Sequence, residues 1–182
     1  MKITVIGAGY VGLVTAACLA DLGNEVVCND IDGAKIAQLN RGKVPIYEPG
    51  LDDLIKRNRR KRRLKFTTNL KGCVESSAVI FIAVGTPPKD SGEADLTHIE
   101  AVARDIARYM KSYHLVVEKS TTPVETGSWI KKTLEAYARK NVKFDVASNP
   151  EFLREGSAIG DFMHPDRIVI GVESRKAEQV LT

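Results

Sequence analysis

Gly7-Ala8-Gly9-Tyr10-Val11-Gly12 follows the apolar run Ile3-Thr4-Val5-Ile6 directly, and residues at helical spacing follow the glycines. A strand, a glycine turn and a helix are the setting a dinucleotide fingerprint requires. Gly7 permits a tight turn out of the strand. Gly9 has no Cβ, so backbone N–H groups can approach a pyrophosphate. Gly12 lets the helix lie close to the sheet. The helix N-terminus adds unpaired N–H groups and a partial positive charge, to which Tyr10 and Val11 contribute. Val14, Ala17, Cys18 and Leu22 continue the helical period, and Gly23 sits where a C-cap glycine belongs. Val26-Val27-Cys28 reads as a buried parallel strand. Asp30 lies 18 residues beyond Gly12, near the offset of about 20 at which a carboxylate accepts from a ribose diol. The alternative is a βαβ unit with a glycine turn and no nucleotide. Asp30 also selects NAD over NADP, because a carboxylate repels a 2′-phosphate and no Arg stands in Ile31-Asp32-Gly33; Lys35 is the one nearby cation that works against this.

The rest of the chain alternates in the same way. The patterning predicts strands at 2–6, 25–29, 65–67, 78–83, 114–118, 143–147 and 167–171. It predicts helices at 11–22, 32–40, 50–62, 69–75, 96–110 and 124–139, a short one from about 150, and the start of another in Glu173–Leu181. Such alternation specifies an α/β fold: a Rossmann-type, doubly wound, mostly parallel sheet with helices on both faces. Residues 1–182 make one domain. Right-handed crossovers then put ligands at the carboxyl ends of the strands. Three loops there carry polar residues: Gly85-Thr86-Pro87-Pro88, Ser120-Thr121-Thr122-Pro123, and Asn149-Pro150-Glu151-Phe152-Leu153-Arg154-Glu155-Gly156. All three should converge beside the glycine turn.

Each loop also has a plain structural reading. Thr86 could cap a turn. Ser120 to Thr122 before Pro123 could be an N-cap with proline at the first helical position. Asn149-Pro150-Glu151 could be an N-cap, a proline and a first-turn acid. On a helix from 150, Glu151 and Glu155 would share one face, a carboxylate pair suited to a base or a hydroxyl acceptor.

Other features exclude function classes. No apolar run reaches membrane-span length, and Met1-Lys2 leads straight into a strand, which leaves no signal peptide. Cys18, Cys28 and Cys73 have no metal-type spacing and read as buried thiols of a cytoplasmic protein. His98, His114 and His164 show no triad or metal pattern, so no metal is expected. The net charge of +4 is concentrated in Lys56, Arg57, Arg59, Arg60, Lys61, Arg62, Arg63 and Lys65. That run lacks aromatics for base stacking and reads as a solvated helix face, not a nucleic-acid site. A nucleotide-sensing module that touches nucleic acid, and an α/β domain with an empty site, are the competing readings.

Taken together, the motifs resemble the N-terminal, NAD-binding domain of the UDP-glucose/GDP-mannose dehydrogenase family. The resemblance runs through GAGYVGLVTAACLA, Pro45-Ile46-Tyr47-Glu48-Pro49-Gly50-Leu51, Ala83-Val84-Gly85-Thr86-Pro87-Pro88, Lys119-Ser120-Thr121, Ser148 to Gly156, and His164-Pro165-Asp166-Arg167-Ile168-Val169-Ile170-Gly171. It implies oxidation of the primary alcohol of a nucleotide-linked hexose to a carboxylate, with NAD reduced at each of two steps and a cysteine thioester between them. The two prolines after Thr86 and the His164-Pro165-Asp166-Arg167 stretch tilt the substrate toward UDP-glucose, with GDP-mannose or a UDP-N-acetylhexosamine as alternatives. The product class is a uronate precursor for polysaccharide biosynthesis. Carried over to this chain, Gly7, Gly9, Tyr10, Val11 and Gly12 would hold the pyrophosphate, and Asp30 and Lys35 the adenosine ribose. Thr86 and Thr121 would line the cofactor site. Glu151, Phe152, Leu153, Arg154 and Glu155 would face the substrate, with Glu155 also near the nicotinamide. Thr121 and Glu151 would position a water or accept a proton.

The departures matter as much. The family's nucleophilic cysteine, substrate lysine and asparagine, pairing helix and C-terminal UDP-binding domain all lie downstream of the matched motifs. The resemblance therefore implies a truncated domain, inactive and monomeric alone, from an enzyme that is a homodimer at full length. Within the match, Asn29 stands at a usually apolar place, Glu118 precedes the Lys-Ser-Thr loop, and Glu125 replaces a glycine.

Overall fold

A computed structural model describes residues 1–182. In chain order the elements are β1 (Lys2–Ile6), α1 (Tyr10–Asp21), β2 (Glu25–Asn29), α2 (Gly33–Asn40), α3 (Leu51–Arg60), β3 (Leu64–Thr67), α4 (Leu70–Ser76), β4 (Val79–Ile82), α5 (Thr97–Tyr109), β5 (His114–Glu118), α6 (Thr126–Tyr137), β6 (Phe144–Ser148), α7 (Ala158–Met163), β7 (Gly171–Val172) and α8 (Arg175–Leu181). The strands form one sheet in the order β3-β2-β1-β4-β5-β6-β7. All neighbours are parallel except β6 and β7.

The strand sequences explain this sheet. Val79-Ile80-Phe81-Ile82 is buried throughout, as a strand covered on both faces must be. Thr4 in β1 is fully buried, and its hydroxyl is satisfied by Ser77 Oγ at 2.8 Å. Helix α1 has apolar residues nearly all round. It is buried from Gly12 to Cys18 and at Ala20, because it is wedged between the sheet and helices α3 and α7. Helix α3 is the opposite case. Leu51, Leu54, Ile55 and Asn58 turn inward while its cations face water, and acids at its start and cations at its end suit the dipole. Two apolar clusters result. One holds residues of α1, α2, α3, α7 and α8; the other holds residues of α4, α5 and α6.

The strand order reverses between β1 and β4. The chain winds from β1 outward through β2 to β3, then returns to the far side of β1 with β4. The glycine turn therefore sits at a topological switch point, where ligands bind in such sheets.

Four sequence expectations need correction. No strand spans 167–171; only Gly171–Val172 pairs, and antiparallel to β6. No helix begins at 150. Residues 151–154 are irregular, 155–157 turn, and α7 starts at Ala158. Glu151 and Glu155 thus share no helix face. Asn149 is not an N-cap: its amide nitrogen donates to the Val169 carbonyl (2.9 Å) and its Oδ1 accepts from Lys119 (3.2 Å), so it ties loops together. Likewise α6 begins after Glu125, with no side-chain cap. Ser120, Thr121 and Thr122 are drawn instead into contacts with neighbouring loops and strands, which outweigh local capping.

Candidate functional site

The glycine turn has the shape its residues require. Gly7 adopts φ +106°, and a Cβ there would lie 2.4 Å from the Ala83 carbonyl oxygen. A Cβ on Gly12 would stand 1.8 Å from the Gly7 oxygen. Both contacts are with backbone, so neither position admits a side chain. Gly9 differs: a Cβ built there meets nothing within 4 Å. The space in front of Gly9 is open, and it lies at the start of α1, which no side chain caps. The first-turn N–H groups, which have no partner inside the helix, face that opening.

A cavity of about 480 Å³ runs from this turn along the carboxyl ends of β1, β2 and β4. Gly7, Gly9, Asp30, Lys35, Val84 and Gly85 line it, with His98, Ala101 and Val102 as the wall from α5. Asp30 holds its floor. Its carboxylate accepts from the amides of Ala8 (2.7 Å) and Asp32 (2.9 Å) and from Lys35 Nζ (3.1 Å). Burial works to raise the Asp30 pKa, but those two amides and the Lys35 ammonium hold it below the usual carboxylate range. Lys35 is therefore neutralised by Asp30 rather than offered to an extra phosphate. Ile31, 98% exposed on the cavity lip, gives a flat ring an apolar surface. Uncapped N–H groups, an open glycine, a carboxylate for a diol and an apolar wall fit a dinucleotide in shape and in charge.

The three loops do converge. Thr86 Oγ1 donates to the Thr121 carbonyl (2.9 Å) and Ser120 Oγ to the Val84 carbonyl (2.8 Å). Asn149 N donates to the Glu118 carbonyl (2.8 Å). Glu118, one of the unexpected residues, is buried and accepts from the hydroxyls of Thr122 and Ser148 (3.0 Å for the latter). Asn29, another, donates to the Thr67 carbonyl and locks β2 to β3.

A second, smaller hollow of about 110 Å³ lies beside the third loop. Glu151, Phe152 and Leu153 line it, with Lys119, Asp161 and Arg167. The Lys119 side chain is buried; desolvation pulls its pKa down to about 8, against the opposing charge of Glu151. Arg154 does not line it but pairs with Asp161 (2.6 Å), which does, and Glu155 is exposed outside both hollows. Tyr10 and Val11 are half-buried at the first turn of α1, and the Tyr10 hydroxyl donates to Glu48. Sequence reasoning missed Lys119, Glu48, Ile31 and His98 as residues of this region. For Lys119 the signal was its place at the end of a fully buried strand.

The remaining candidates stay apart from these hollows. Cys18, Cys28 and Cys73 are buried and unpaired, and burial raises all three thiol pKa values. A broad basic hollow of about 620 Å³ lies along the edge strand β3, lined by Lys56, Arg59, Arg60, Arg62 and Lys65 without a carboxylate or a glycine turn. No group of three or more potential ligand side chains could hold a metal ion, and no helix is long and apolar enough to cross a membrane.

A family model described as the UDP-glucose/GDP-mannose dehydrogenase family, NAD binding domain, matches residues 1–182. The chain is 49% identical to UDP-glucose 6-dehydrogenase TuaD of Bacillus subtilis (strain 168), over 99% of this chain and 39% of that relative. A UDP-glucose dehydrogenase structure from the archaeon Pyrobaculum islandicum superposes with a TM-score of 0.95 at 44% identity, covering 99% of this chain and 42% of that one. A GDP-mannose dehydrogenase structure from Pseudomonas aeruginosa does so with a TM-score of 0.95 at 41% identity, covering 100% and 43%. The chain thus spans well under half the length of the proteins it matches.

Proposed function

The chain belongs to the UDP-glucose/GDP-mannose dehydrogenase family as its NAD-binding domain, and from that premise we propose that it is the cofactor-holding part of an enzyme that oxidises UDP-glucose to UDP-glucuronate, with water supplying the added oxygen and two NAD reduced. The observation that carries this reading is the cavity joining the uncapped first turn of α1 to Asp30. Gly9, Tyr10, Val11 and Gly12 offer backbone N–H groups to the pyrophosphate, and Gly7, whose own N–H donates to the Asn29 carbonyl (2.7 Å), shapes the turn that holds it. Asp30, kept ionised by its amide donors, accepts from the adenosine ribose, with Lys35 beside it. Thr86 and Thr121, hydrogen-bonded to each other across two loops next to the Gly85 lining of the cavity, border the nicotinamide half, and Glu155 is assigned to that half although it lies outside both hollows. Bound NAD supplies a hydride acceptor.

Glu151, Phe152 and Leu153, which line the smaller hollow, face the sugar, with Arg154, held by Asp161, and Glu155 continuing the same loop beside it. Thr121 and Glu151 orient a water or take up its proton. No cysteine here can form the thioester, since each thiol is buried away from both hollows. The nucleophile and the sugar-nucleotide clamp belong to the remainder of the enzyme, outside this domain. Phe152 and Ile168, 47% and 67% exposed beside the smaller hollow, suit cover by that remainder. The full-length enzyme is a homodimer and this domain alone a monomer. Buried, unpaired thiols suit the reducing cytoplasm. The basic run serves as a solvated face and binds no nucleic acid, which duplex DNA in a salt-dependent gel shift tests directly. The GDP-mannose reading is the competitor, because the structure of such an enzyme superposes equally well.

Calorimetry tests the cofactor half: NAD binds this chain, and NADP binds more weakly. No NAD binding refutes it. NADH formation by the full-length protein with UDP-glucose, GDP-mannose and UDP-N-acetyl sugars tests the substrate. NADH release from UDP-glucose by this chain alone overturns the missing-nucleophile argument.

A further inference from the structure

Glu48 lies in the segment between α2 and α3, outside every regular element, yet it is only 5% exposed. No lysine or arginine pairs with it. A carboxylate taken out of water without a cation needs dense hydrogen bonding to remain charged. Glu48 has it, from two separate directions. From one side the Tyr10 hydroxyl, on the first turn of α1, donates to Oε2. From the other, Gly156 N donates to Oε2 (2.8 Å) and Ala158 N to Oε1 (2.9 Å). Burial works to raise the Glu48 pKa, and these donors together hold it below the usual range. Burial and the same carboxylate push the Tyr10 pKa up to about 12.

The two segments that meet on Glu48 are the glycine-turn helix and the end of the 151–156 loop. They are far apart in sequence, and one oxygen accepts from both. A shift of Tyr10 must therefore alter the bond to Gly156. The Glu48 carbonyl also accepts from Leu51 N (3.1 Å), at the start of α3. The Glu48 backbone is thus fixed beside a third element, which limits how far its carboxylate can follow either partner.

We infer that Glu48 is a positioning residue: its carboxylate ties the first turn of the cofactor helix to the substrate loop, so that occupation of one is registered at the other. This rests on the proposed function for what the two segments bind, but the tie itself can be tested without ligand.

Amide hydrogen exchange at Gly156 and Ala158 is measured in the wild-type chain, in Tyr10→Phe and in Glu48→Gln. Tyr10→Phe removes one hydroxyl from α1 and neither of the donors at 156 and 158. If Glu48 bridges, exchange at these amides quickens about five-fold, as for the loss of one hydrogen bond, while β1 and β4 stay protected. If Glu48 only caps the loop, Tyr10→Phe leaves those amides unchanged, and the inference is overturned. Should Glu48→Gln unfold, Tyr10→Phe alone decides. NAD is then added. Slower exchange at Gly156 and Ala158 in the wild type, lost in Tyr10→Phe at saturating NAD, supports the coupling; an equal response in both overturns it. A chain that binds no NAD by calorimetry refutes the cofactor reading, and the ligand-free comparison still stands.

Discussion

Gly9→Ala separates binding from folding. Gly9 has φ −81° and ψ −169°, values open to alanine, and its added methyl meets no atom within 4 Å. Stability should change by no more than about 0.5–1 kcal/mol, because alanine is a poorer N-cap than glycine but restricts the unfolded chain. The methyl does occupy part of the open space in front of the turn, where a pyrophosphate would approach. Held off by one methyl, the diphosphate loses at least one short N–H contact. That should cost about 1.5–3 kcal/mol, or roughly 10- to 150-fold in NAD affinity. Gly12→Ala is the contrast. Its methyl would stand 1.8 Å from the Gly7 oxygen, so the helix must move off the turn. Destabilisation of about 1–3 kcal/mol or more should follow, with binding lost as a consequence. Urea unfolding and NAD calorimetry on both variants give the four numbers. A Gly9→Ala protein that folds and binds NAD like the wild type would refute the assignment of this opening to the pyrophosphate.

Two further expectations concern charged groups. Asp30→Ala orphans the buried Ala8 amide and frees Lys35, so it should cost about 1–3 kcal/mol of stability as well as about 1–3 kcal/mol of NAD binding; urea midpoints with calorimetry check both, and unchanged affinity in a folded variant removes Asp30 from the site. Lys119, with its folded pKa pulled down to about 8 from 10.5, sheds its proton in the folded state before the unfolded chain does. Stability should therefore rise with pH from about 8 to 9 by about 1 kcal/mol relative to Lys119→Met. Above pH 9 the buried thiols and then Tyr10, all with raised pKa values, act with the opposite sign. Parallel pH dependences for wild type and Lys119→Met in denaturant titrations would contradict this account.

Much of the architecture was legible because it depends on local periodicity. Runs such as Val79–Ile82 can only be strands buried on both faces, and the α1 period fixes a helix wherever it packs. The third loop was misread for a physical reason. Asn149-Pro150-Glu151 has sound helix-start chemistry, but the Asn149 side chain and the amides of 156 and 158 find better partners elsewhere in the fold. Capping contributes only about 1 kcal/mol, so a few tertiary hydrogen bonds override it.

Residue order alone dictated the strand-turn-helix with its three glycines, the carboxylate after the second strand and the doubly wound sheet, since each follows from residue type and spacing along a few neighbours. Three outcomes had to wait for the folded chain: Asp30 neutralises Lys35, Lys119 is buried beside Glu151, and Glu48 gathers donors from segments far apart in the sequence. They depend on which groups meet after the chain has closed on itself, and burial sets their strength. No local pattern carries either quantity.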